Sequence, residues 1–227
     1  MEFEQLVKDF ENLHKPITYL TDKTIVLNLD STLVNISTLS QHTAERELLD
    51  SIPEISHRII SRDVDIHDTD KDGKSIAINK YSYFGIKRPH LKEFLLACRR
   101  IFKYIIIWCA GHEDYVNSLV DEIFRDLPFR PDLVYTAKQT LFDIDRGTIK
   151  SPVTLITKSV HMNLSMEKLL YIDHQDCSGK TLVVPRYEFE LTKENILKDD
   201  DVLYKVLEKL LVLDIVNNDI SKSDLIW

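Results

Sequence analysis

The stretch that most constrains the fold is Thr24–Val34, which reads Thr-Ile-Val-Leu-Asn-Leu-Asp-Ser-Thr-Leu-Val. Ile25, Val26 and Leu27 form a short apolar, β-branched run, the mark of a buried central strand. Polar residues then fall at alternate positions: Asn28, Asp30 and Thr32. Open α/β sheets collect their ligands at the carboxyl ends of such strands. A buried strand with an acidic, polar end therefore predicts both a layered α/β domain and the place of its site.

The rest of the chain supplies the layers. Phe3, Leu6, Val7, Phe10 and Leu13 recur at helical spacing over residues 2–13, and Pro16 ends that helix. Leu39, Leu48, Leu49, Ile52, Ile55, Ile59 and Ile60 predict a helix within 38–61, interrupted at Pro53. Val64 and Ile66 alternate with Asp63, Asp65 and His67; an Asp-Gly pair follows within Asp68–Lys74, and alternation resumes at Ile76, Ile78 and Tyr81. That pattern predicts a β-hairpin over 63–84. Pro89 is placed to open a helix with Leu91, Phe94, Leu95 and Cys98 on its apolar face. Ile101–Trp108 reads as the next buried strand, and Glu113–Phe124 as a helix. Val153–Thr157 and Leu169–Ile172 read as further strands, and Val202–Ile215 as an apolar helix docked on the core. Strands alternating with helices predict a parallel sheet with crossovers.

At 227 residues, 44% of them hydrophobic, the chain suits one domain, or one domain with an appendage. Its net charge of −8 argues against direct nucleic-acid binding, which needs a dense basic surface. Cys98, Cys109 and Cys177 are odd in number and far apart, as expected of reduced thiols. The acidic start, Met-Glu-Phe-Glu-Gln, lacks the basic opening of a signal peptide, and no apolar run reaches membrane-spanning length. The expectation is an intracellular protein, cytoplasmic or nuclear, with no membrane partner.

Residues 28–34 closely resemble the first motif of haloacid dehalogenase (HAD) superfamily phosphatases, Asp-x-Asp-x-Thr. The Thr-Leu-Val ending resembles the branch that dephosphorylates the carboxy-terminal domain (CTD) of RNA polymerase II. The likeness continues in order. Lys87–Leu95 resembles the family's Lys-Arg-Pro stretch, and Asp68–Tyr83 its hairpin insertion. Ile105–Gly111 resembles the strand ending in Phe-Thr-Ala, with Tyr115 at the usual tyrosine. Thr157-Lys-Ser159 resembles the segment carrying the motif-III lysine, and Leu170–His174 the strand ending in the motif-IV Asp-Asn pair.

The resemblance implies a HAD-like Rossmannoid α/β fold: a parallel sheet between helices, with a small β-hairpin insertion and a C-terminal helix. The expected layout is an N-terminal helix in 1–21, the HAD domain in 22–190 with an insertion at 35–86, and a helical segment in 191–227. It also implies chemistry. One carboxylate attacks phosphorus, and a nearby acid protonates the leaving oxygen and then activates water. Mg²⁺ held by oxygen ligands neutralises the phosphate. By resemblance, Asp30 is the general acid/base and its backbone carbonyl a metal ligand. Lys158 neutralises phosphate, Thr32 contacts it, and Asp173 supports the metal.

Several positions depart from the pattern, among them Ser159 and Val160, which replace the family's Asp and Leu after the lysine. Cys109 replaces the motif-II threonine, a weak thiol donor in place of a hydroxyl. His174 replaces the motif-IV asparagine, an imidazole where hard Mg²⁺ favours oxygen. Above all, Asn28 stands at the nucleophile position, and a neutral amide cannot form an aspartyl-phosphate. Three accounts of Asn28 stand side by side: natural loss of the nucleophile, an introduced Asp→Asn substitution, or a shifted register with Asp30 as nucleophile and Thr32 two residues on. The resulting reading is a CTD-phosphatase-like protein with impaired or lost serine/threonine phosphatase activity. Its alternative is a non-catalytic module that binds a phosphoprotein or peptide, the polymerase tail being one candidate. Mg²⁺ is expected only if the site is still occupied.

Other features carry plainer readings. Asp68–Lys74 begins like an EF-hand loop, but Asn79 stands where a glutamate should close it, so an acidic hairpin tip is expected. His112 reads as a solvated histidine, Cys98 as helix core, Cys109 as a buried filler and Cys177 as a loop residue. Tyr81, Tyr83 and Phe84 fit either a peptide groove or ordinary β packing. Asp199–Asp201 precedes a helix and reads first as an N-cap.

Overall fold

The computed structural model describes residues 19–38, 43–69, 75–143, 147–190 and 192–225. The helix expected over 2–13 and most of the EF-hand-like tip, residues 70–74, lie outside the described residues. In chain order, β1 (Thr21–Leu27) is followed by β2 (Val34–Thr38), α1 (Thr43–Asp50), β3 (Ile59–Thr69) and β4 (Ser75–Lys87). Next come α2 (Leu91–Ile101), β5 (Phe102–Trp108), α3 (Glu113–Ile123) and β6 (Leu133–Tyr135). A ribbon of β7 (Leu141–Asp143) and β8 (Gly147–Ile149) precedes α4 (Pro152–Lys158). Then follow β9 (Leu169–Asp173), β10 (Thr181–Val183), α5 (Lys193–Leu197) and α6 (Val202–Val212).

Five parallel strands form the main sheet in the order β10-β9-β1-β5-β6, which puts β1 at the centre. Because side chains alternate along a strand, each strand feeds two cores. Ile25, Leu27, Ile105, Ile107, Leu170 and Ile172 pack on one face with residues of α2, α3 and α6. Val26, Ile106, Trp108, Leu169 and Tyr171 pack on the other with Leu155 of α4. This is why the strands read as near-continuous apolar runs.

The insertion between β1 and α2 forms an antiparallel sheet in the order β2-β4-β3. Gly85 is required there: a Cβ on it would stand 2.0 Å from the carbonyl oxygen of Asn35. Arg88, only 1% exposed, ties three regions together. Its Nη1 donates to the carbonyls of Thr32 (2.9 Å) and Pro185 (3.1 Å), and its Nε and Nη2 hold both oxygens of Asp200 at 3.0 and 3.1 Å. The first-strand loop, the insertion and the C-terminal segment thus share one buried cation. That segment also adds Leu203, Val206 and Leu210 to the main core.

Several local expectations change. Val153–Thr157 is not a strand but lies within helix α4. A short apolar run cannot separate the two by periodicity, and Pro152 at the first helical turn decides for the helix. Pro89 does not itself open α2: the helix starts at Leu91, and His90 precedes it with φ 63°. The hairpin is longer than 63–84, running from Ile59 to Lys87. The C-terminal helix stops at Val212, before a turn in which Asp214 has φ 47°. Among the described residues, no helix is long and apolar enough to cross a membrane.

Candidate active site

Asn28 follows β1, Cys109 follows β5, and Asp173 ends β9, so three adjacent strands deliver them to one edge of the sheet. The chain turns sharply after Asn28. The carbonyl of Leu29 accepts from the N–H groups of Thr32, Leu33 and Val34 at 3.1, 2.8 and 3.2 Å. Ser31 sits at φ 58°, a left-handed conformation uncommon for a residue with a Cβ. It is held by its N–H to Val34 (2.9 Å) and by the N–H of Tyr187 on its carbonyl (2.8 Å). The turn leaves Asp30 at the cleft and buries Thr32 completely.

The Asn28 amide is fully engaged. Its Nδ2 donates to the backbone carbonyl of Asp30 and to Thr32 Oγ1, each at 2.8 Å. Its Oδ1 accepts from Lys150 Nζ at 2.8 Å. The partners fix the orientation, since only the oxygen can accept from an ammonium and only the nitrogen can donate to a carbonyl. Both amide hydrogens are spent, so His174 Nδ1, 3.2 Å away, is a neighbour and not a third acceptor.

Asp30 is braced from the opposite side. Tyr115 Oη donates to its Oδ1 at 2.6 Å, and Cys109 Sγ donates to Oδ2 at 3.1 Å. Burial pushes the Cys109 thiol far up, and the Asp30 charge adds to the effect. The same two causes, in the same order, raise the Tyr115 phenol. Both groups stay protonated and so serve as donors to the two Asp30 oxygens.

Asp173, 3% exposed, gathers the other half of the site. Its Oδ2 accepts from Lys150 Nζ at 2.5 Å. Its Oδ1 accepts from the backbone N–H of Gln175 at 3.2 Å and lies 3.2 Å from His174 Nδ1. Burial alone would raise this carboxyl, but His174 and Lys150 outweigh it and hold it below the usual value. His174 Nδ1 also lies 3.0 Å from Thr32 Oγ1. Cys177 Sγ lies 3.5 Å from Asp173 Oδ2, and its thiol is pushed up to about 12 by burial and by that charge.

Asn28, Asp30, Cys109, Lys150, Asp173 and His174 line a cleft of about 860 Å³, with Lys222 and Arg186 on its rim. Beside it runs a second groove of about 460 Å³, lined by Ile36, Ile66, Tyr81, His112 and Tyr115 and sharing Asp30 and Gly111 with the cleft. Of the aromatics singled out earlier, Tyr81 lines this groove. Tyr83 and Phe84 are buried core residues, Tyr83 bonding Ser118 at 2.9 Å.

The structure brings together Asn28, Asp30, Thr32, Cys109, Asp173 and His174, but not Lys158. Lys158 ends α4, exposed and outside the cleft. The lysine present in the cleft is Lys150, at the exit of the β7–β8 ribbon. Lys158 is expected from the likeness of Thr157-Lys-Ser159 to the motif-III segment; the helix Pro152–Lys158 instead leaves that lysine exposed at its far end, while Lys150 precedes the helix at the cleft. Cys177 lies in the loop between β9 and β10, as expected, and that loop places it in the cleft. His112 caps α3, its Nδ1 accepting from Asp114 N at 3.3 Å. In the run 199–201, Asp200 serves Arg88 and also accepts from the N–H of Val202 at 3.1 Å. Among the described residues, no three His, Cys, Asp or Glu side chains are grouped so as to hold a metal ion.

Comparison with known proteins decides the family. Residues 23–220 match the NLI interacting factor-like phosphatases. The chain belongs to that family. Among solved structures, it resembles the RNA polymerase II CTD phosphatase Fcp1 with a TM-score of 0.54 at 16% identity, covering 93% of this chain and 52% of that one. A beryllium-fluoride-bound variant of the fission yeast Fcp1 gives the same score and identity, covering 93% of this chain and 54% of that one. This chain therefore spans about half the length of those proteins. No curated protein matches it significantly. At this identity the shared feature is the fold: a CTD-phosphatase-like, HAD-type parallel sheet flanked by helices, with a small antiparallel sheet.

Proposed function

We propose that this family member is a pseudophosphatase: it binds a phosphorylated protein segment in the cleft and does not hydrolyse it. The observation that carries this reading is the locked amide of Asn28. In this family the covalent route needs a carboxylate at that point, and an amide oxygen already bound to Lys150 offers no nucleophile. The remaining parts suit binding. Lys150, Lys222 and Arg186 line the cleft as cations, and Asp30 is held ready by two donors. The adjoining apolar groove gives a peptide flanking the phosphate somewhere to lie. The phosphorylated tail of RNA polymerase II is one candidate, by likeness to the Fcp1 structures.

The test is phosphate release from p-nitrophenyl phosphate and from a phosphoserine peptide, with and without Mg²⁺. The wild-type chain is expected to be silent, and Asn28→Asp to gain Mg²⁺-dependent turnover. Loss of a nucleophile leaves a residual on the order of 10³ over water in other systems, so the comparison must resolve several decades. Wild-type turnover that Asp30→Asn abolishes would overturn the reading, show Asp30 to be essential and reopen the shifted register in which Asp30 is the nucleophile.

A further inference from the structure

A divalent cation in a site of this kind would bridge oxygen atoms that otherwise repel one another. Three such oxygens converge here: the side-chain oxygen of residue 28, the backbone carbonyl of Asp30 and a carboxylate oxygen of Asp173. In this chain the gaps between them are already closed by N–H groups. Asn28 Nδ2 sits 2.8 Å from the Asp30 carbonyl, where an aspartate would place a second oxygen against it. Lys150 Nζ spans Asn28 Oδ1 and Asp173 Oδ2 at 2.8 and 2.5 Å. The donor set left for a metal is the Asp173 carboxylate, already paired with Lys150, and two carbonyl oxygens already bound to N–H donors, with the imidazole of His174 beside them, a poor match for hard Mg²⁺. The residues present therefore do not fit a resident Mg²⁺.

We propose that the cleft takes its phosphoryl ligand without a divalent metal, with Lys150 as its built-in cation. The inference rests on the reading that a phosphorylated group enters this cleft. Lys150 is fixed by two acceptors, so it meets an anion without first losing side-chain freedom. Lys222 and Arg186 are held by exposed pairs, to Asp176 at 2.8 Å and Glu188 at 3.2 Å. Such pairs hold weakly and exchange readily for a ligand oxyanion.

Inorganic phosphate is titrated calorimetrically into the full chain, once in EDTA and once in excess Mg²⁺. The two affinities are expected to agree within about twofold, well short of the tenfold or more that one charge-assisted contact is worth. Lys150→Gln should weaken binding about tenfold or more, as loss of a charge-assisted hydrogen bond does, while Lys150→Arg should retain most of it. A second measurement needs no change at Lys150: Mg²⁺ alone should leave the wild-type melting temperature unmoved and raise that of Asn28→Asp, which puts a carboxylate back between the oxygens. Phosphate binding that requires Mg²⁺, a wild-type melting temperature raised by Mg²⁺, or no phosphate binding in either medium overturns the inference. Phosphate release from a phosphoserine peptide in the same solutions reports separately on the pseudophosphatase reading. Release in EDTA removes that reading and leaves metal-free binding standing; Mg²⁺-dependent binding without release does the reverse.

Discussion

Asp173→Ala is the perturbation whose cost can be worked most directly from the structure. It removes the carboxylate that pairs with Lys150, and the two side chains are only 5% and 10% exposed. Breaking a buried pair by deleting one partner costs about 3–5 kcal/mol, because the other charge is left uncompensated. The pair opens onto a cleft, where water relieves part of that penalty, so about 3 kcal/mol is expected for Asp173→Ala. Lys150→Met should cost less, about 2 kcal/mol. The reason is asymmetry: without Lys150, Asp173 keeps the Gln175 N–H at 3.2 Å and His174 at 3.2 Å, whereas Lys150 without Asp173 keeps Asn28 Oδ1. The double variant should be less destabilised than the sum by about 1 kcal/mol or more, as directly coupled residues are. Urea unfolding followed by circular dichroism measures all three, and a chain of this size loses about 2–4 °C of melting temperature per kcal/mol.

The same pair has a pH signature. Asp173 titrates below its unfolded value of about 3.9, so its stabilisation is fully present above that pH and fades as the pH falls through the folded value. The gap between wild type and Asp173→Ala should therefore close below about pH 4. Strict additivity in the cycle, or a Lys150→Met variant more damaged than Asp173→Ala, would refute the pairing argument.

Three further outcomes follow from other parts of the molecule. Arg88→Ala should destabilise by about 3–5 kcal/mol, since it strips Asp200 and two buried carbonyls of their donor at once; limited proteolysis should then cut the C-terminal segment first. Gly85→Ala should cost about 1–3 kcal/mol by forcing β4 away from Asn35, and a melting temperature equal to wild type would contradict the close approach. Cys98, Cys109 and Cys177 are buried with thiols raised by that burial, so a thiol reagent near pH 8 should label all three in urea and none quickly in the native chain. Rapid native labelling of any one would show that its cover opens.

Much of the fold is legible wherever local chemistry repeats. The β-branched run at Ile25–Leu27 and the run ending at Trp108 appear as neighbouring strands, in register from Thr24 against Tyr104 to Leu27 against Ile107. Spaced apolar residues placed α3, and alternation placed the long hairpin of β3 and β4. The strands β6, β7, β8 and β10, three residues each, were not foreseen, because so short a segment carries no period. Helix α4 is hard to tell from a strand in the sequence because its apolar run suits either, and Pro152 alone marks the helix.

By itself, the sequence determined the layered sheet, the order of the motifs and the absence of a carboxylate at position 28. Those are properties of covalent structure and of patterns a few residues long. Only the tertiary structure decided that Lys150, and not Lys158, reaches Asn28 across 122 residues, and that Tyr115 braces Asp30 across 85. It also decided that Asp200 belongs to Arg88, 112 residues away. Such pairings depend on which strand ends lie side by side, and chain closure over those distances leaves no local periodicity to read.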